Sequence, residues 1–244
     1  MKRKQRADKG RNPKKTTLIV AGIAITVVAI GIVIILVNNN SQPNNLTGPK
    51  TTTAQSSLSF SSLAAGGSPV KGSTSAKVTL IEFGDFQCHY CDRFTKDTEP
   101  QIVQQYIDTG KINIVFKHFA WYGPDSISAA MASQCANDQG KFWQYHDILY
   151  QNQGEINSGW ASKDNLKKFA LQIGLDSEKF NSCLDSEKYK SLVQSDINLA
   201  SSVGFQGTPG FIIEKSDGTN QQQIAGAFPF ATFQQTLDKE IAQS

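Results

Sequence analysis

The chain has 244 residues, with 24 Lys and Arg against 21 Asp and Glu and a formal net charge of +3. Met1 to Lys15 alone holds eight basic residues and one acidic one, leaving 16 basic and 20 acidic residues for all the rest. A basic nucleic-acid-binding face is thereby excluded for the bulk of the chain, and the shift in composition argues for one globular domain behind a different kind of segment rather than for two domains.

Residues 1–16 form the basic segment and residues 17–37 the apolar one, in which Leu18 to Val37 carries a single polar residue, Thr26. Twenty apolar residues are enough to span a bilayer. A cleavable signal peptide has a shorter apolar core followed by small residues, whereas this run ends in Asn38, Asn39 and Asn40. The expectation is an uncleaved transmembrane signal anchor with its basic end in the cytosol and everything after Val37 beyond the membrane. Residues 38–75, rich in Ser, Thr, Asn, Gly and Pro, read as a flexible linker with an average reach of about 30–35 Å.

Residues 76–244 read as the working domain. Val78 to Phe83 is a short, nearly continuous apolar run, as expected of a central strand covered on both faces. Asp92 to Ile107 follows helical spacing with Pro100 as a kink, and Ile112 to Phe119 is a second strand, completing a βαβ unit. Helices follow at about Asp125 to Asp138, Phe142 to Gln151, Lys163 to Ile173 and Ser177 to Val203. Ser162 and Asp176 are placed as N-caps, and Gly140, Gly174 and Gly204 as stops. The chain closes with a strand at Gly210 to Glu214, a turn at Asp217-Gly218, a strand at Gln222 to Gly226 and a helix from Phe230 to Ile241. The predicted class is α/β, a thioredoxin-like fold with an inserted helical domain over about 122–204, preceded by one N-terminal transmembrane helix.

Cys88-His89-Tyr90-Cys91 falls where the first strand gives way to the first helix. Exposed N–H groups and the positive end of the helix dipole stabilise a thiolate there, so Cys88 is the candidate nucleophile and Cys91, one turn further in, the resolving thiol. Half of a zinc site would need a second pair of ligands, and no such pair is present, so no metal or cofactor is implied. A structural disulfide is the remaining alternative. Glu82, inside the apolar strand, is a candidate proton acceptor for the resolving thiol, because a buried carboxylate tends to hold its proton; the alternative is a strand-end carboxylate reaching solvent. Thr208-Pro209 opens the strand after the helices, where proline is tolerated.

Four colinear stretches resemble one family, the DsbA-like thiol–disulfide oxidoreductases, including the membrane-anchored BdbD-type members. They are Glu82 to Cys91, Gln139 to His146, Gly207-Thr208-Pro209 and Gly226 to Phe230. The resemblance implies a nucleophile at Cys88, a resolving thiol at Cys91, a proton-relay carboxylate at Glu82, and a cis Pro209 that with Thr208 helps hold substrate. Two positions depart from the family pattern. His89 stands where Pro commonly follows the first cysteine, and Gly210 where a larger residue follows the proline. His89 and Tyr90 occupy the dipeptide that tunes redox poise, and an imidazolium there favours thiolate over disulfide.

Cys135 and Cys183, both in the helical region, read as a static disulfide closing a loop of about 49 residues, with two buried free thiols as the alternative. His118 and His146 are assigned to fold or cap roles, and Trp121, Trp143 and Tyr145 to the core. The expected activity is oxidation of cysteine pairs in exported proteins outside the cytosol. Reoxidation would come from a membrane quinone-linked partner, DsbB-like or VKOR-like. A disulfide reductase or isomerase and a non-catalytic thioredoxin-fold binding module are the competing readings.

Overall fold

Two adjacent strands form the centre of the molecule, β2 (Val78–Gly84) and β3 (Ile112–His118), and all fourteen of their residues are buried. That is why both read as unbroken apolar runs instead of alternating ones. A computed structural model describes residues 59–244. The two strands run parallel, and around them a five-stranded sheet is completed by β1 (Val70–Gly72), β4 (Gly210–Lys215) and β5 (Gln222–Ala225) in the order β1-β3-β2-β4-β5, every other pairing being antiparallel.

Because side chains alternate along a strand, β2 serves two cores. Val78 and Leu80 point into one with Phe94, Ile102, Phe211, Phe233 and Leu237. Ile81 and Phe83 point into the other with Leu63, Phe119, Ala200 and Phe205. Glu82 shares the parity of Val78 and Leu80 and so faces α2 (His89–Asp97) and α3 (Glu99–Ile102) rather than the opposite side. Each fully buried Phe or Leu in these clusters contributes about 1.5–3 kcal/mol.

The helix expected over 92–107 starts at His89 and has three parts. Pro100 lies in the first turn of α3, where its missing N–H costs nothing, and the chain then passes through a π-helical turn at Val103–Ile107. The helical layer holds α4 (Pro124–Asn137), α5 (Phe142–Gln151), α6 (Lys163–Gln172), α7 (Ser177–Asp185) and α8 (Lys190–Ser202); α9 (Phe230–Ala242) closes the fold. Ser162 and Asp176 cap α6 and α7 through their side chains. The single helix expected from Ser177 to Val203 is broken between α7 and α8, where Glu187 adopts φ +52°. Neither Gly nor Pro marks that break, so periodicity alone ran through it. α8 is pinned to β3 by a buried Lys117–Asp196 ion pair of 2.5 Å, and Asp196 also accepts the His118 N–H at 3.1 Å.

The linker expected over residues 38–75 is corrected at its C-terminal end. Phe60–Ala65 forms α1, with Leu63 buried, and Val70–Gly72 pairs with β3 as an edge strand. A three-residue strand between Gly67 and Gly72 is too short for a periodicity signal, and its partner lies some forty residues away. The basic and transmembrane segments expected over 1–37 lie outside the described residues. Among the described residues no helix is long and apolar enough to cross a membrane.

Candidate active site

β2 ends at Gly84, Asp85 to Gln87 make a turn, and Cys88 is the N-cap residue of α2 with extended backbone angles and no side-chain cap. Gly84 is required by close approach, since a Cβ there would lie 2.7 Å from the Phe116 ring. The sequence thus delivers the Cys88 sulfur to the open N-terminus of α2, where unpaired N–H groups favour negative charge. Cys91 lies one turn on; both are buried, at 1 % exposure for Cys88 and 0 % for Cys91, and both are free thiols.

The two sulfurs sit in contrasting surroundings. A hydrogen bond from the Cys91 thiol is the largest influence bringing the Cys88 pKa down to about 6; burial opposes it, while Thr208 and the N–H groups of Cys91 and Tyr90 reinforce it. Burial pushes Cys91 well above the ordinary thiol value, helped by its bond to Cys88 and the charges of Cys88 and Glu82. Across from them the Thr208–Pro209 bond is cis, and the Thr208 carbonyl accepts from the Cys88 thiol at 3.2 Å. Tyr122 brings its hydroxyl to 3.9 Å from the same sulfur.

Glu82 is buried on β2 with neither carboxylate oxygen hydrogen-bonded among the described residues. Burial raises its pKa well above the carboxylate range; the Glu99 and Cys88 charges add to this, and Lys71 opposes it. The alternative of a strand-end carboxylate reaching solvent does not hold. Each therefore favours its protonated form, the acid on β2 and the thiol one turn into α2.

The structure therefore gathers Cys88, Cys91, Glu82, Thr208 and Pro209 at one place. His89 and Tyr90 are exposed beside it, Tyr90 at 53 %, and the Arg93 guanidinium lies 4.9 Å over the Tyr90 ring while donating to the Ala227 carbonyl at 3.0 Å. A groove of about 400 Å³ lined by Tyr90, Arg93, Thr208 and Phe228 adjoins Thr208. Gly210 follows Pro209 because a Cβ there would come within 2.7 Å of the Phe205 ring, which packs on Phe83.

Trp121, expected in the core, is 49 % exposed and rests edge-on against Phe119; Tyr145 is fully buried and Trp143 partly so. Residues missed in the sequence hold the cysteine loop. The Asp85 carboxylate accepts from the backbone N–H of Gln87, Trp121 and Tyr122 and from the Ser126 hydroxyl, at 2.6–3.1 Å. The Gln87 amide is held by Ser126 and Asn157, and Gln153 donates to the Phe86 and Cys88 carbonyls. Only the Asp85–Gln87 contact is local enough to have been read, as an Asx turn.

A thioredoxin family model matches residues 64–239. The chain belongs to the DsbA-like thiol–disulfide oxidoreductases. Disulfide bond formation protein D of Bacillus subtilis (strain 168) is 29 % identical over 180 residues, covering 72 % of this chain and 78 % of the relative. The crystal structure of oxidised BdbD from Bacillus subtilis superposes with a TM-score of 0.64 at 30 % identity, covering 72 % of this chain and 94 % of that one. Wolbachia pipientis alpha-DsbA1 gives 0.60 at 25 % identity over 72 % and 92 %.

This oxidoreductase carries a second cysteine pair outside the site. Cys135 on α4 and Cys183 on α7 are joined, with sulfurs 2.04 Å apart and a sequence separation of 48. Both are buried, at 1 % and 8 % exposure. Replacing both by Ser should lower stability to urea by about 4 kcal/mol on the chain-entropy model while leaving Cys88 alkylation unchanged. The midpoint and slope of paired urea curves check this.

Proposed function

We propose that the protein oxidises cysteine pairs of exported proteins by disulfide exchange through Cys88 and Cys91, outside the cytosol, on a domain tethered to the membrane by residues 17–37. The observation that carries this reading is the asymmetry of the pair: a Cys88 thiolate favoured at neutral pH beside a buried Cys91 that holds its proton. A stable thiolate makes the reduced form the favoured product, and hence the disulfide a good oxidant.

In the forward direction a substrate thiolate attacks the Cys88 sulfur, the Cys88–Cys91 bond breaks, and Cys91 leaves as a thiolate that takes a proton from Glu82. The second substrate thiol then attacks the substrate sulfur of the mixed disulfide. Two electrons have passed to the enzyme, and Cys88 departs as its stable thiolate. Thr208, Pro209 and the groove beside Tyr90 and Phe228 would hold the substrate chain, with His89 tuning the thiolate. The names of the bacterial relatives support the direction, and a DsbB-like or VKOR-like quinone-linked membrane protein would reoxidise the pair.

The reductase and isomerase readings differ from this one in potential, not in fold, since couples on this scaffold span roughly 150 mV. Equilibration with glutathione decides between them. The expected potential lies toward the oxidising end of that range, and the reduced form should be the more stable to denaturant. The folded Cys88 pKa of about 6 lies below the unfolded thiol value, so that advantage is complete above the unfolded value, about 8.5, and is lost as pH falls through about 6. A thioredoxin-like potential near −270 mV would move the assignment to a reductase.

A further inference from the structure

His89, the residue expected to tune Cys88, is exposed and pairs edge-on with the Tyr90 ring at 6.2 Å between centroids. Among the described residues it makes no hydrogen bond to the sulfur. Two groups from outside α2 do reach that sulfur: the Thr208 carbonyl at 3.2 Å and the Tyr122 hydroxyl at 3.9 Å. They are chemically opposite. The carbonyl contact uses the thiol proton and ends when that proton leaves, whereas a phenol can donate to the bare sulfur anion, and a bond to a charged acceptor is the stronger kind. The contact is long, as hydrogen bonds of resting sites often are before charge develops. The Tyr122 side chain is held in place for it. The residue lies in the passage between β3 and α4, where the Asp85 carboxylate accepts from its N–H at 3.1 Å and the Asn157 amide donates to its carbonyl at 2.6 Å. Gly123 beside it has φ +115°, and a Cβ there would meet the Asn157 amide at 3.1 Å. The ring packs on the core of the helical layer. The carboxylate that shapes the cysteine loop thus also fixes where the tyrosine stands.

We infer that Tyr122 is a catalytic residue of the exchange reaction, its phenol donating a hydrogen bond to the Cys88 sulfur whenever that sulfur is a thiolate. The inference rests on the reading of Cys88 as the exchanging thiolate. The step it serves is release of the oxidised substrate. The second substrate thiolate attacks the substrate sulfur of the mixed disulfide, the bond to Cys88 breaks, and its electron pair stays on the Cys88 sulfur. Tyr122 stabilises that charge and keeps its own proton. The ionisable groups around the pair, Glu82 from β2, Asp85 from the turn, Cys91 from α2 and Tyr150 from α5, all become anions when they ionise. None of their charges favours a thiolate. Burial first, then the Cys88 charge and hydrogen bond, raise the Tyr122 pKa to about 12, so the phenol remains a neutral donor throughout the range in which Cys88 titrates.

Two replacements test this in the reduced full chain. Tyr122→Phe keeps the ring and removes the donor, while Tyr122→difluorotyrosine keeps both and makes the phenol more acidic, hence a stronger donor. The pH midpoint of Cys88 alkylation should rise by roughly half to one unit in the first and fall in the second. The equilibrium with glutathione should follow. At about pH 8 Tyr122→Phe should be roughly three- to tenfold the weaker oxidant, about 15–30 mV at 29.6 mV per tenfold. That deficit should close below about pH 6, where Cys88 is a thiol in parent and variant alike and the bond to the thiolate is lost from both. A packing change alone would neither track donor strength nor disappear with the thiolate. A midpoint that both replacements leave in place, or that both move in the same direction, would overturn the role of Tyr122 while leaving the exchange mechanism standing. A parent midpoint at the ordinary thiol value would remove the thiolate itself, and the role of Tyr122 with it.

Discussion

Cys91→Ser is expected to arrest exchange at the covalent intermediate, so that the variant accumulates disulfide-linked adducts with exported proteins that vanish on reduction. Both cysteines are buried, at 1 % and 0 % exposure, but Cys88 occupies the N-cap of α2 beside Thr208 and Tyr122 whereas Cys91 lies one turn deeper in the helix. Cys88 is therefore the sulfur that joins the partner. Cys91→Ser leaves neither an internal disulfide to donate nor a second thiol to displace a partner held on Cys88, so a disulfide formed with Cys88 in the oxidising compartment persists. Cys88→Ser should show few adducts, and both variants should lose essentially all turnover. Non-reducing gels of the two, expressed in an oxidising compartment, separate this from a binding module, for which neither sulfur exchanges and the patterns match.

The second large effect is expected away from sulfur. Asp85→Ala should destabilise the domain by about 3–5 kcal/mol, since four donors converge on its carboxylate and buried donors left unpaired cost about 1–3 kcal/mol each, less than additively. Burial raises the Asp85 pKa, and the bonds from Gln87, Ser126, Tyr122 and Trp121 oppose that rise. Those bonds offset the cost of burying the group. Asp85→Asn should lose less, because its amide oxygen can keep the bonds from Trp121, Tyr122 and Ser126, which share one carboxylate oxygen, while its NH2 group faces the Gln87 N–H. The thermal midpoint of Asp85→Ala should fall by about 10 °C or more. The loop carrying Cys88 and the segment carrying Tyr122 should come apart together, with adduct formation by the Asp85→Asn, Cys91→Ser double variant slowed. A midpoint within a degree or two of the parent would show that the four contacts hold little.

The legible parts of this molecule are those whose causes are local. Val78 to Gly84 is buried on both faces and its composition says so. Cys88 and Cys91 sit four and seven residues after that strand, and a strand followed so closely by Cys-X-X-Cys and helical spacing leaves little choice of geometry. Ser162 and Asp176 announce their helices for the same reason. What stayed hidden depends on long-range closure. Lys71 lies on a three-residue edge strand and reaches Glu99 twenty-eight positions later; the Asp85 partners Trp121, Tyr122 and Ser126 lie thirty-six or more positions away. Trp121 was misplaced because an aromatic beside a buried strand end can turn either way, and here it turns outward onto Phe119. Gly210 is required for a reason only the fold supplies, namely the Phe205 ring against its backbone.

The division of labour between the two thiols is tested most directly by alkylating the reduced protein with iodoacetamide across pH and mapping which cysteine is modified. The account predicts a Cys88 rate that rises with a midpoint near about 6, as the thiolate forms, while Cys91 stays unmodified through neutral pH because burial holds its proton. Equal modification of Cys88 and Cys91 with a shared midpoint near the ordinary thiol value, about 8.5, would contradict it.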